Sequence, residues 1–311
     1  MADSKFALRL ADRDLQARVK PITLQRYKSA ILSLTSWAKP LNWNPSTPED
    51  WDDLLLEFKF AHDQITRPKF TVLVSAVEFF VPSVKRQLAW SHAMISGWAR
   101  RSKIRHTVPL TYRPAVLVAI YMAVRGKKRL GLGLLLQVKT GLRPSELLAL
   151  LPDHVMFPED QGSAHSGVPV VIALGVKAGT KANRTQVAML RPEHEHLWAA
   201  LRALKRATPP GYFLFPFTLA AYRMELQAVE RILGLKVGWG PHSPRAGYAT
   251  DGRLEGVPFE EIREGGRWQS DSSLRTYLDI VASAAVVRAL RLRQLGPQLD
   301  AAQAAWPLYF G

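Results

Sequence analysis

The sequence predicts a mainly α protein with a helical N-terminal domain over residues 1–106, an α-rich second domain over 107–295 holding one small β-hairpin or sheet, and an apolar tail, 296–311. Three observations lead to that division. Apolar residues recur at a period near 3.6 through the first hundred residues, with no strand candidate among them. A basic, proline-bearing stretch at 101–112 then interrupts the periodic segments. Only one pair of β-branched runs follows, at 168–176 and 185–190, separated by a Gly- and Lys-rich turn.

Over 23–39, Leu24, Tyr27, Ile31, Leu34 and Trp37 fall on one helical face, and Pro40 ends the run. Thr47, Pro48, Glu49 and Asp50 supply a cap, a first-turn proline and acids at the positive end of a second helix, which extends to about residue 65. A third helix is expected over 69–80 and a fourth over 84–100. The fourth and its exit carry Lys85, Arg86, Arg100, Arg101, Lys103 and Arg105, with no acid between 84 and 106. Such a face repels itself unless an anion lies against it, and a phosphate backbone does so with release of counterions. These six residues are candidate DNA contacts. Trp37, Trp43, Trp51, Trp90 and Trp98 are read as core.

In the second domain, helices are expected over 114–124 and 130–140. Gly141 closes the latter, and Pro144, Ser145 and Glu146 open another, so Arg143 sits in a turn beside a helix N-terminus, a natural anion site. A Glu146 carboxylate behind the guanidinium would fix its orientation. The hairpin turn presents Lys177, Lys181 and Arg184. Helices at 192–207 and 218–233 lead to His242, where Ser243 and Pro244 read as N-cap and first-turn residue, placing His242 and Arg245 at a second helix end. A short acidic helix at 258–264 and a Gly265-Gly266 turn release Arg267 and Trp268, and a helix at 272–279 carries Tyr277. An amphipathic helix follows at 281–295. The tail holds Trp306, Leu308, Tyr309 and Phe310, and is expected to dock in a neighbouring protomer's groove rather than on its own domain.

Lys and Arg number 42 against 26 Asp and Glu, a net charge of +16. Through residue 106 the count is 17 basic to 10 acidic, and beyond it 25 to 16, so both domains are basic and both are suited to a polyanion. With no cysteine there is neither a disulfide framework nor a thiolate metal site. No apolar run reaches the roughly 18 residues of a membrane span, and the N-terminus interleaves charge too often for a signal peptide. No membrane role is expected, and an intracellular protein is the default.

His242 and Arg245 supply a hydrogen-bonding imidazole and a forked cation, Trp268 a bulky N–H donor, and Tyr277, nine residues further on, a phenol. Those groups together suit attack of a tyrosine on a phosphodiester. In the order Arg143, Lys177, His242, Arg245, Trp268, Tyr277, they resemble the catalytic set of the tyrosine recombinases of the phage integrase family. The run from Thr140 to Leu147 resembles the family's first box, and His242 to Arg245 its His-x-x-Arg box. Trp268 stands where most members carry a His, as in the Cre-like branch. Pro244 departs from the Leu usual before the second arginine. By motif the resemblance spans residues 110 to 280, while the N-terminal domain is similar to a core-binding domain in size, helicity and basicity.

The resemblance implies that residues 107–295 form a catalytic domain acting in DNA integration, excision or inversion through a 3'-phosphotyrosine on Tyr277. Arg143 and Arg245 would clamp the phosphate, Lys177 protonate the departing 5'-oxygen, His242 help take the phenol proton, Trp268 donate its N–H, and Glu146 orient its neighbours. Lys177 is preferred to Lys181 because it directly follows the strand; Lys181 and Arg184 join the DNA contacts. No cofactor or metal is implied. The partners would be double-stranded DNA with inverted-repeat target sites and, on that DNA, a homo-tetramer, wherever the DNA resides, nucleus or bacterial nucleoid. Two other readings are a type IB topoisomerase, which relaxes DNA as a monomer, and a DNA-binding protein with a degenerate pocket.

Overall fold

A computed structural model of the chain describes residues 13–101, 107–162, 167–175, 185–275, 277–278 and 292–310. The chain divides into two units, Met1–Arg105 and His106–Gly311. In the first, helix α1 (Pro21–Ala38) opens with its proline and buries Ile31 and Leu34. Helix α2 (Pro48–Ala61) starts on a capping box: the Asp50 N–H donates to Thr47 Oγ1 at 3.1 Å, and the Thr47 N–H donates to the Asp50 carboxylate at 2.8 Å. Bonds from the Ser46 and Thr47 backbone, with the Ser46 hydroxyl, hold the Asp50 carboxyl down at about 2. Helix α3 (Arg67–Phe80) contributes Phe70, Leu73, Val74, Val77 and Phe80 to the core.

Helix α4 (Ala89–Arg101) begins five residues later than the sequence pattern implied. A 3-10 turn at Pro82–Val84 and a left-handed Arg86, φ 64°, precede it, and the Arg86 N–H donates to Glu78 at 2.8 Å. The start is set from a distance. Asp52 of α2, 3% exposed, accepts from the N–H groups of Trp90 and Ser91 at 2.8 and 2.9 Å and so satisfies the first turn of α4. Lys85 and Arg86 therefore stand before the helix and Arg100 and Arg101 at its end, with roughly 15 to 20 Å of helix between them at 1.5 Å per residue. They form two exposed basic clusters, not one helical face; Lys103 and Arg105 lie outside the described residues. Trp90 is likewise corrected: its backbone is capped by Asp52 while its side chain, on the outer face, is 69% exposed.

In the second unit, α5 (Tyr112–Val124) and α6 (Lys128–Thr140) pack along each other and are buried over most of their length. The short helix α7 (Pro144–Leu147) follows. Strands β1 (Val155–Met156), β2 (Val170–Leu174) and β3 (Gln186–Leu190) make an antiparallel sheet in that order, with Val155 opposite Ile172 and Val170 opposite Leu190. Val170, Ile172, Leu174, Ala188 and Leu190 face the core, whereas Val187 and Met189 are exposed, as the period of two requires. The turn bearing Lys177, Lys181 and Arg184 lies outside the described residues.

Helices α8 (Glu195–Ala207), α9 (Leu219–Ile232), α10 (Ser243–Leu254) and α11 (Phe259–Gly266) complete the frame of the site. Residues 271–275 and 277–278 are helical and carry Tyr277. Of the helix expected at 281–295, most lies outside the described residues. The apolar tail forms α12 (Gly296–Phe310) and packs against α5 of its own unit. That packing uses Gly131, where a Cβ would lie 2.7 Å from the Ala119 carbonyl oxygen and 3.1 Å from the Phe310 ring. The missing side chain lets α5 approach and leaves a seat for Phe310, which stacks on Trp306 at 4.5 Å. Arg113 and Asp300 pair across the same contact. Among the described residues no helix is long and apolar enough to cross a membrane.

Candidate active site

A helix C-terminus leaves carbonyls without intrahelical partners and carries partial negative charge. At the end of α6, Gly141 adopts φ 62° and closes the helix, its N–H donating to the Gln137 carbonyl at 3.0 Å. Guanidinium groups take the free carbonyls. Arg245 of α10 donates Nη1 to the Gly141 oxygen. Arg267 donates Nη1 to the Thr140 oxygen at 3.3 Å and Nη2 to the Gly141 oxygen at 3.2 Å. Arg245 and Arg267 are both buried.

Arg143 precedes α7, whose first residue is Pro144. Its N–H donates to Glu146 Oε2 at 2.7 Å, its Nη1 donates to Glu146 Oε1 at 2.5 Å, and its Nη2 donates to the Arg267 carbonyl at 3.2 Å. Glu146 Oε2 also accepts from Arg267 Nη2 at 3.0 Å. Burial alone would raise the Glu146 carboxyl, but the Arg267 charge and the bonds from Arg143 outweigh it and hold it below the usual range. One ionised carboxylate thus ties two arginines.

His242 stands at the N-cap of α10, one residue before the expected cap, and its side chain is exposed. The loop before it is fixed by buried polar groups. Glu230 accepts from the N–H groups of Gly238, at 3.1 Å, and Trp239. Gln137 Nε2 donates to the Pro241 carbonyl at 3.0 Å, and the Tyr222 hydroxyl donates to Gln137 Oε1 at 3.0 Å. The Leu110 N–H donates to the Ser243 carbonyl at 2.9 Å, and a Cβ on Gly247 would fall 1.8 Å from the Leu110 oxygen. Only glycine lets that segment lie against α10.

Beyond α11, Arg267 takes a left-handed backbone, φ 59°, and turns Trp268 inward, where it is 8% exposed. The Arg245 guanidinium lies 4.2 Å from the Trp268 ring centre, a cation–π contact. Tyr277 meets the same ring edge-on at 5.9 Å, and Tyr248 stacks on it at 6.2 Å. Trp268 therefore joins the buried cation to the phenol.

Three guanidiniums around one carboxylate leave net positive charge in a partly desolvated site. Burial, with Arg143 and Arg267 beside it, lowers Arg245 to about 9, so it remains a cation at neutral pH. Partial desolvation, then Arg245, Arg143 and Arg223, lower His242, so the imidazole is neutral there and free to accept a proton. Preorganised forked donors of this kind bind an anion and stabilise charge that grows on it.

Arg143, Glu146, His242, Arg245, Trp268 and Tyr277 are thus brought together in the second unit. Lys177 lies outside the described residues. Sequence reasoning missed the positions of Arg267, Tyr248 and the Gly141 carbonyl in this cluster. The only hint was Arg267 following two glycines directly before Trp268.

No protein-family model matches the sequence, and no curated protein does. Solved structures do match. XerH site-specific recombinase bound to palindromic difH substrate, a post-cleavage complex, is 16% identical with TM-score 0.58, over 85% of this chain and 79% of that one. The Tn1549 transposon integrase in complex with circular intermediate DNA is 14% identical with TM-score 0.56, over 88% and 94%. A lambda integrase dimer bound to a COC' core site is 15% identical with TM-score 0.53, over 89% and 93%. The mainly helical architecture with its small antiparallel sheet is the tyrosine recombinase fold.

Proposed function

We propose that this chain is a site-specific DNA recombinase that cuts and rejoins duplex DNA through Tyr277. One observation carries the reading: a phenol edge-on to a tryptophan that itself lies under a buried guanidinium, with Arg143 and His242 beside it. The fold, the net charge of +16 and the exposed basic clusters of the first unit support DNA as the partner. So do the DNA complexes named for the three solved structures.

In this reading Arg143 and Arg245 hold the two non-bridging oxygens of the scissile phosphate and neutralise charge that builds toward the transition state. The Tyr277 oxygen attacks phosphorus, its proton passing to neutral His242, and the bond from phosphorus to the 5'-oxygen breaks. Lys177 gives the leaving oxygen its proton. A 3'-phosphotyrosine and a free 5'-hydroxyl result, and attack by a 5'-hydroxyl of a second duplex reverses the chemistry with a new strand joined. Trp268 donates its indole N–H to the phosphate and walls the site against water.

We infer a homo-tetramer holding two inverted-repeat sites, for integration, excision or inversion. The test uses two differently labelled duplexes carrying a site recovered from covalent adducts. A recombinase joins strands of one label to the other. Resealing of each duplex only to itself, by a monomer, would assign the site to topoisomerase-like relaxation instead.

A further inference from the structure

We propose that Arg267 is a positioning residue of the site, whose buried guanidinium holds Arg143 and Arg245 in place through Glu146 and the carbonyl end of α6; this rests on the recombinase reading above. Glu146, which holds Arg143, and the Gly141 carbonyl, which holds Arg245, both accept from Arg267. Its Nη2 donates to Glu146 Oε2 at 3.0 Å, and that carboxylate accepts Arg143 Nη1 at 2.5 Å. The same Nη2 donates to the Gly141 oxygen, which also accepts from Arg245 Nη1. Its Nη1 reaches the carbonyls of Thr140 and Gly265 at 3.3 and 2.9 Å. Its own carbonyl accepts from Arg143 Nη2 at 3.2 Å.

Two costs are visible in the arrangement. A side chain on a left-handed backbone is strained, and Arg267 sits at φ 59°. A third guanidinium, with its side chain 5% exposed, is also desolvated beside two like charges. Capping a helix end demands neither, since a glycine and water would satisfy two carbonyls. What the guanidinium adds is a rigid fork that fixes a carboxylate and a carbonyl at once. Both terminal nitrogens of Arg267 donate to Glu146 or to the carbonyls of Thr140, Gly141 and Gly265, so it acts through its neighbours.

Substitution by glycine tests the guanidinium alone, because Arg267→Gly removes the side chain while glycine adopts the same left-handed turn without strain. With fragmented duplex DNA as first probe and the recovered site as second, the rate of covalent adduct formation at saturating DNA and the affinity for DNA are measured apart. The expected result is a rate lower by about 10- to 100-fold with affinity unchanged, the loss typical when a partner behind a functional ligand is removed. Arg267→Lys, which keeps charge but not the fork, is also slowed and serves if the glycine variant does not fold. Millimolar guanidinium chloride should restore part of the Arg267→Gly rate. Adding Glu146→Gln to Arg267→Gly should cost no more than the larger single loss, since both act on one linkage. An unchanged rate, a loss confined to affinity, or losses that multiply in the double variant would overturn the proposal. Absence of adducts from the wild-type protein would instead overturn the recombinase reading, and it is seen in that sample alone.

Discussion

Arg245 and Arg267 donate to one oxygen, the carbonyl of Gly141 at the end of α6. Two buried cations converge where a helix presents its negative end, and Gly141 can offer that carbonyl because its left-handed backbone turns the chain there. Helix packing, backbone conformation and the charge of the site are therefore one structure: the same carbonyl that ends α6 orients a guanidinium lying over Trp268.

Replacing Arg143 or Arg245, the proposed clamp, by lysine keeps a charge and loses the fork. Arg143→Lys and Arg245→Lys should each slow adduct formation by roughly 10²- to 10³-fold, the scale for removing one donor from a preorganised anion site. Quench-flow or gel assays of detergent-stable adducts measure it. Arg245→Lys should also lower the melting temperature, because Arg245 is buried against Gly141 and Trp268.

Gly247→Ala tests how closely residue 110 lies on α10. A Cβ there would sit 1.8 Å from the Leu110 oxygen, so backbone must move, at about 1–3 kcal/mol in urea unfolding. Gly97 of α4 has nothing within 4 Å and no left-handed φ, so Gly97→Ala should instead stabilise by about 0.5–1 kcal/mol.

His194 predicts a pH dependence. Burial, then the charge of Lys139, lowers it from the ordinary 6.5 to about 4. Above 6.5 it is neutral folded or unfolded. As pH falls below 6.5 the unfolded chain binds the proton and the folded chain does not, so stability is lost, by at most about 1.4 kcal/mol per pH unit. His194→Gln should flatten the decline in unfolding free energy between about pH 6.5 and pH 5. An unaltered slope would mean that the ring is solvated.

Trp306→Ala probes the seat of α12. Removing a side chain 5% exposed and stacked on Phe310 should cost about 3–5 kcal/mol, with a melting temperature independent of protein concentration. A concentration-dependent melt would show α12 exchanging between copies.

Much of the fold and site was legible because it is written locally. The 3.6 period of Leu24, Tyr27, Ile31 and Leu34, the Thr47 box, Gly141 with Pro144, and the alternation of β2 each act over a few residues. What escaped depends on distant partners. The start of α4 is set by Asp52, 38 residues before Trp90, and β1 is only two residues long, paired through Ile172. The tail's seat is a gap at Gly131, far along the chain from Phe310. Arg267 was invisible as a partner because its role needs φ 59°, a conformation no neighbouring residue dictates, and a carboxylate 121 positions away.

The most direct measurement is covalent capture: wild-type protein and Tyr277→Phe are incubated with fragmented duplex DNA, denatured in detergent, and any DNA still attached is sequenced. Adducts in the wild type alone, joined through a 3'-phosphate at a recurring inverted repeat, with both proteins melting alike and binding DNA alike, are the predicted result. Adducts that persist in Tyr277→Phe, or DNA bound by both proteins and held covalently by neither, would contradict it.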